Sequence, residues 1–316
     1  MKILITGVHG FVGSNLVSSL SGQNTIYGLD IVAPDKEGVK YTFPWDFLDK
    51  EDEMPSVDAI VHLAGKAHDT KNQAAADVYF KVNRDLTIKI FDYFCEHKNI
   101  KKFIFFSTAK AAADKVDGIL TEDVIPTPVG PYGESKIAAE DYILKTMKER
   151  PSDFEGRGVY IFRPCMIHGP GNKGNLNLLY NVVRKGIPWP LGAFENRRTF
   201  TSVENICFAV NGVLTKDVES GIYNMGDDEA LSTNELIEEI CKSLGKKAHI
   251  WRLPKGLMFF VARLGGWLHL PLDSERLRKL TEDYVASNAK IKRALGVERM
   301  PVDAREGLMR TLESFK

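Results

Sequence analysis

Five short apolar runs, each alternating with a stretch of helical period, limit what this chain can become. "KILIT", "TIYGLD", "AIVHLAG", "KFIFFST" and "GVYIFRP" are rich in Val, Ile, Leu and Phe, and they read as buried strands. Between them lie "GFVGSNLVSSLSG", "VYFKVNRDLTIKIFDYFCEHKN" and "PYGESKIAAEDYILKTMKER", whose apolar residues recur at helical spacing. Strand and helix in strict alternation predict an α/β fold: a doubly wound parallel sheet with helices on both faces. After Pro164 the texture changes to glycine- and proline-broken loops, then two short strand–helix pairs, "FTSVENICFAVNGVL" and "GIYNMGDDEALSTNELIEEICKSL". A smaller, partly interleaved α/β domain is expected there. The division is 1–165 with a return over about 199–230, against 166–198 and 231–316.

The first strand ends in Gly7-Val8-His9-Gly10-Phe11-Val12-Gly13. Glycines at Gly7, Gly10 and Gly13 let the turn tighten, let backbone N–H groups approach a pyrophosphate, and let helix pack close on strand. The helix that follows offers its unpaired N–H groups to the anion. Asp30 closes the second strand, where an acid can bind both ribose hydroxyls of adenosine. A carboxylate there repels a 2′-phosphate and no Arg follows it, so the expected cofactor is NAD rather than NADP, on a Rossmann-type domain.

Bulk properties exclude several classes. Lys+Arg and Asp+Glu both number 42, so no overall field points to nucleic acid or to an acidic membrane. Cys95, Cys165, Cys207 and Cys241 lack CxxC spacing, and the seven histidines show no paired-ligand pattern, so no disulfide framework or metal site is expected. No secretory signal precedes the first strand, which points to a cytoplasmic protein. The longest apolar stretch, "LMFFVARLGGWLHLPL", is broken by Arg263 and two glycines. It is too short to span a bilayer; a packed helix is expected there, with a membrane-surface helix the lesser alternative.

"PYGESK" raises the question of chemistry. Pro131 suits the first position of a helix, and Tyr132 and Lys136, four apart, share one face of it. A free phenol titrates near ~10, so a base working near neutrality needs a downward shift of about three units, or roughly 4 kcal/mol. An ammonium one turn away favours the phenolate.

Together, "TGVHGFVG", "VHLAGKAH", "YGESK" and "RPCMIHGPG" resemble the extended short-chain dehydrogenase/reductases of the NAD-dependent epimerase/dehydratase family. The resemblance covers nearly the whole chain and implies action on a nucleotide sugar, with UDP the expected carrier. It makes Tyr132 the acid/base and Lys136 the group that sets its pKa and holds the nicotinamide ribose. It gives Thr108 the hydrogen bond to the reacting sugar oxygen, with Ser107 the runner-up. Phe11 and Val12 would meet the pyrophosphate, Asp46 and Phe47 would flank adenine, and Leu63, Ala64 and Gly65 would line the far side of the cofactor. Arg198 would reach the substrate diphosphate and Asn175 its phosphate or uridine side, with Arg276 a weaker candidate. The resemblance also leaves open a homodimer through the helices over 77–98 and 131–150, with Phe91, Phe94, Ile143 and Met147 compatible with it.

Two departures from the family pattern concern the substrate. Ala111-Ala112-Ala113 stand where Val-Tyr-Gly is frequent, and His168 opens "HGPG" where a tyrosine is usual; a packed, hydrogen-bonded role is expected for that histidine. Ala109-Lys110 follow Thr108 where a 4,6-dehydratase carries Asp-Glu, which disfavours dehydration. The reading is a 4-epimerase of a UDP-hexose or UDP-N-acetylhexosamine working through a 4-keto intermediate. A UDP-4-keto-6-deoxy-hexosamine C4 reductase is the alternative, because "LYNVVRKGIPWPLGAFENRRTF" and the C-terminal segment look like such reductases. A non-catalytic dinucleotide sensor is a further one.

Overall fold

The computed structural model describes residues 1–32, 34–50, 54–67, 75–172, 174–267 and 273–316. The end of "VHLAGKAH" and the last five residues of the apolar stretch, 268–272, lie outside them. In the first half, strands β1 (Lys2–Thr6), β2 (Thr25–Leu29), β3 (Tyr41–Phe43), β4 (Ala59–His62), β5 (Lys102–Phe106), β6 (Ile119–Leu120) and β7 (Gly158–Pro164) alternate with helices. The helices are α1 (Phe11–Leu20), α2 (Ala76–Tyr79), α3 (Leu86–Glu96), the single turn α4 (Ala109–Ala112) and α5 (Pro131–Glu149). The second half contributes β8 (Met166–His168), β9 (Arg198–Ser202), β10 (Gly221–Met225), β11 (Ala230–Leu231) and β12 (Val285–Ala286). Its helices are α6 (Asn175–Arg184), α7 (Val203–Thr215), α8 (Thr233–Ser243), α9 (Lys255–Trp267), α10 (Ser274–Thr281), α11 (Ala289–Leu295) and α12 (Ala304–Glu313).

All five expected strands enter one parallel sheet, ordered β10-β7-β5-β4-β1-β2-β3. Two apolar clusters cover its faces. One joins Ile3, Ile5 and Val61 to α1 and α7, and the other joins Leu4, Ile60 and Phe103 to α3 and α5. Burial on both sides explains why these strands are continuous rather than alternating in hydrophobicity. The strand order reverses between β1 and β4, and the crevice beyond their carboxyl ends is where such sheets hold ligands.

One expected helix is not uniform. Over Phe80–Asp85 the backbone widens to a π-helical turn between α2 and α3, the kind of bulge that re-aims side chains at functional sites. The expected start of α5 is as read, with Gly130 at the cap and Pro131 in the first turn.

A three-stranded sheet, β11-β9-β8, and an apolar core of α6, α8, α9, α10 and α12 form the second unit. The chain returns to the large sheet through α7 and β10, while β12 pairs with β6 and Tyr284 Oη donates to Ala113 O at 2.9 Å. The units are therefore stitched together more than once.

Two expectations about helix faces fail. Phe91, Phe94 and Ile143 are fully buried in the chain's own core, so they give no support to a dimer through α3 and α5. Helix α9, expected to be packed, buries only Met258, Ala262 and Gly265 and turns its larger apolar side chains outward.

Candidate active site

The turn after β1 is set by its glycines. Gly7 has φ of +67°, the left-handed region that glycine adopts without strain. A Cβ on Gly13 would lie 2.4 Å from Gly7 O, so only glycine lets α1 start this close to the strand. Helix α1 then begins with no side-chain cap and no acid in its first turn, leaving the N–H groups of Phe11 and Val12 for an anion. Asp30, just past β2, points back at this turn: its Oδ2 accepts from His9 N at 3.0 Å and its Oδ1 from Ile31 N at 2.7 Å. Nε2 of His9 is buried without a partner at the same turn. An uncapped helix end, an orphaned polar atom and a carboxylate at the strand end together fit a dinucleotide.

Beside the turn, a chain of hydrogen bonds holds the 63–66 loop. Leu63 N and Ala64 N both donate to Thr6 Oγ1, at 3.1 and 3.0 Å. That hydroxyl therefore spends its proton on His62 Nδ1, 2.7 Å away. On the other side, Thr87 Oγ1 donates to Asn83 O at 2.7 Å, so it accepts from His62 Nε2 at 2.9 Å. The network thus assigns a neutral imidazole with its proton on Nε2. Burial, and then the charge of Lys136, hold the His62 pKa well below its ordinary value, in agreement. Asn83, in the π-turn, bonds both Lys66 N and Lys66 O, at 2.7 and 3.1 Å, and donates to Ser135 Oγ on α5 at 3.0 Å. The bulge thereby fastens the loop to α5, the helix of Tyr132 and Lys136.

On α5, Tyr132 is half-buried, and the hydroxyl of Thr108, which follows β5, lies close enough to influence its phenol. Ser107 turns the other way and donates to Glu140 Oε1, so Thr108 and not Ser107 meets the phenol. Lys136 is only 4% exposed and donates to Phe106 O at 2.8 Å. A Cβ on Gly65 would sit 3.0 Å from its Nζ, so that glycine lets the loop close onto the ammonium. Burial lowers the Lys136 pKa to about 8, with Glu140 pulling the other way.

The phenol itself departs from expectation. Burial raises the Tyr132 pKa, the Thr108 hydrogen bond lowers it, and neighbouring Tyr79 raises it further; the net direction is up. The expected downward pull of Lys136 is not among the influences on this phenol; burial dominates, because the low dielectric penalises the phenolate.

Sequence reasoning passed over the support beneath these groups. Glu140, fully buried one turn after Lys136, accepts from Arg163 Nε at 3.1 and 3.0 Å and from Nη2 at 2.5 Å. Burial pushes the carboxyl up, and the guanidinium and the Ser107 hydroxyl pull it back. The signals were available: Glu140 continues the four-residue spacing of Tyr132 and Lys136, and Arg163 is a lone charge in an apolar strand run.

The remaining candidates are placed less tightly. Phe47 packs its ring 5.0 Å from Phe43, and Asp46 beside it is exposed and paired with Lys50 at 3.3 Å. Arg198, at the start of β9, donates from Nη1 to Lys279 O, and burial lowers its pKa. Arg276, on the same α10 as Lys279, is largely exposed and pairs with Asp273 at 3.5 Å. Asn175 opens α6 on the surface. His168 is buried, 2.9 Å from Thr311 Oγ1 and 3.4 Å from Asp227 Oδ2, which is the packed, hydrogen-bonded role expected of it. A surface depression of about 530 Å³ at Met1, Lys2 and Asn24 lies at the opposite ends of the strands, away from all of these groups.

Against known proteins, the sequence pattern of the NAD dependent epimerase/dehydratase family matches residues 3–226. The chain belongs to this family. It is therefore an NAD-dependent enzyme, and the turn, Asp30 and the 63–65 loop are the parts that fit the cofactor. A UDP-glucose 4-epimerase of Vibrio cholerae is 29% identical over 99% of this chain and 95% of its own. An N-acetyl-α-D-glucosaminyl-diphospho-ditrans,octacis-undecaprenol 4-epimerase of Escherichia coli O157:H7 is 27% identical over 92% of this chain and 85% of its own. Among solved structures, the UDP-N-acetylglucosamine 4-epimerase of Bacillus cereus shares the fold, with TM-score 0.75 and 22% identity over 100% of this chain and 98% of that one.

Proposed function

We propose that the chain is a 4-epimerase of a UDP-hexose or UDP-N-acetylhexosamine, acting through a transient 4-keto sugar. What supports this reading is the grouping of Tyr132 and Thr108 at the carboxyl end of β5, where Thr108 acts on the phenol, with Lys136 buried one turn away. Bound NAD supplies the hydride acceptor and donor, and its cationic ring supplies the pull toward phenolate that Lys136 alone does not. Thr108 would orient the sugar's O4, and Tyr132 would take its proton and later return it. Lys136 would stabilise the phenolate and hold the ribose, and Asp30 would bind the adenosine ribose. Ala109 and Lys110 follow Thr108, and Lys110 is paired with Asp114 at 3.0 Å, so the acid pair a dehydratase needs is missing at this point of the chain.

Arg198, Asn175 and, less strongly, Arg276 would face the diphosphate and its nucleoside. Homologues named as 4-epimerases favour this reaction over the C4 reductase. The name of the Escherichia coli relative puts its sugar on diphospho-undecaprenol, and the same cations would serve a diphosphate on either carrier. Purified protein should interconvert C4 epimers of a UDP-sugar without added NADH and without net change in nicotinamide absorbance. Inactivity there, together with NADH consumption on a 4-keto-6-deoxy sugar nucleotide, would assign the reductase instead.

A further inference from the structure

Helix α9 carries two apolar stripes. Met258, Ala262 and Gly265 face inward onto the core of the second unit. On the opposite side, Leu257, Phe260, Val261 and Leu264 recur at i, i+3, i+4 and i+7, each between 39% and 59% exposed, and Trp267 extends the stripe at 78%. A lone exposed Leu is ordinary, but a full helical stripe ending in tryptophan is a surface built to be covered.

The charges around it indicate what covers it. From Lys246 to Trp267 the sequence holds Lys246, Lys247, Arg252, Lys255 and Arg263 and no Asp or Glu. Lys247, Arg252, Lys255 and Arg263 form no ion pair among the described residues, although Lys255 lies 5.6 Å from the Phe194 ring. The nearest acids on either side, Glu239 and Asp273, are already paired, with Arg305 at 3.2 Å and Arg276 at 3.5 Å. An apolar, aromatic stripe on a segment whose Lys247, Arg252 and Arg263 have no ion-pair partner among the described residues complements a surface that is anionic outside and apolar beneath. An anionic bilayer has that layering, and a protein partner would need acids ringing a groove. No helix among the described residues is long and apolar enough to cross a membrane, so the contact is with its face.

We infer that the outer stripe of α9 docks the protein on an anionic phospholipid bilayer, the rings of Phe260 and Trp267 entering the headgroup boundary and the free cations meeting lipid phosphates. The balanced net charge that argued against a membrane averages away a local patch, and this stretch already had a membrane-surface alternative. The docking helix packs beside α10, whose Lys279 carbonyl holds Arg198, so the bilayer would lie on the side of the substrate unit. The inference does not depend on which sugar is turned over.

The test is co-sedimentation of the full chain with vesicles of phosphatidylcholine containing phosphatidylglycerol at about three to one, against phosphatidylcholine alone. Wild type should pellet with the anionic vesicles and be released by salt. The Phe260→Glu/Leu264→Glu variant should partition at least about tenfold less, with its melting temperature and NAD content retained. Tyr132→Phe should pellet like wild type, which separates docking from catalysis. In wild type, bromine-labelled lipids should quench tryptophan emission, and Trp267→Phe should remove most of that quenching. No pelleting, or equal pelleting of the double variant, overturns the inference. So does a dimer in sedimentation that the double variant splits without any vesicle binding, since the stripe is then an interface between copies.

Discussion

Helices α5 and α9 break the rule of apolar-in, polar-out in opposite directions. Helix α5 buries Lys136 and Glu140 within its inner face, whereas α9 exposes Phe260, Leu264 and Trp267 on its outer one. The buried pair on α5 has a partner for every charge: Phe106 O for the ammonium, Arg163 and Ser107 for the carboxylate. Burial is then tolerable, and it tunes the site, drawing Lys136 down to about 8. Among the described residues, nothing completes the outer face of α9 in the same way. A misplaced side chain that is satisfied internally points to chemistry in place; one that is not points to something outside the molecule.

The comparison can be broken first at its chemical end. Tyr132→Phe removes the proton carrier and no volume, so turnover should fall by about 10²–10⁴-fold while NAD remains bound. Wild-type rates in that variant would remove Tyr132 from the mechanism. Next, Glu140→Ala strands Arg163 in the core and should cost about 3–5 kcal/mol in denaturant unfolding. A loss below 1 kcal/mol, against ~3 expected, would mean that the ion pair is not the support inferred for α5.

Asp30→Ala should weaken NAD by roughly 1–3 kcal/mol in calorimetry and narrow the gap to NADP. A wild-type preference for NADPH would overturn the assignment at the strand end. His62 offers a smaller, pH-dependent effect. Its folded pKa is depressed, so the unfolded chain binds the extra proton first as pH falls. Stability from this group is full above about 6.5 and is lost below it at up to ~1.4 kcal/mol per pH unit. His62→Gln should flatten that slope between wild-type and variant unfolding curves, and parallel curves would show that the ring is protonated in the fold. The smallest effect belongs to α9: Phe260→Glu should change stability by no more than about 0.5 kcal/mol, because the Phe260 side chain is largely exposed. A large destabilisation would make that stripe part of the core after all.

The two helices also differ in how far the sequence foretold them. The start of α5 and the shared face of Tyr132 and Lys136 were legible, because capping and i,i+4 spacing are local. So were the five strands of the parallel sheet, whose residues are apolar on both faces and bounded by turns. The glycine turn and Asp30 were legible for the same reason: they are contiguous segments whose φ angles and N–H groups do the work. The edge strand β3 was not anticipated, and neither was the π-turn, since a bulge depends on what the helix packs against.

What the sequence by itself determined is the set of local devices: strand runs, the glycine turn, the helix carrying Tyr132 and Lys136. What only the tertiary structure decided is which groups satisfy one another across the chain. Ser107 turns to Glu140 and leaves Thr108 to Tyr132; Asn83 clamps Lys66 to Ser135; His62 is fixed neutral between Thr6 and Thr87. The same holds for the direction of the Tyr132 shift and for the exposed side of α9. Burial is a property of the assembled chain, and the cost of a charge or the exposure of a ring is set by neighbours that lie far away in sequence.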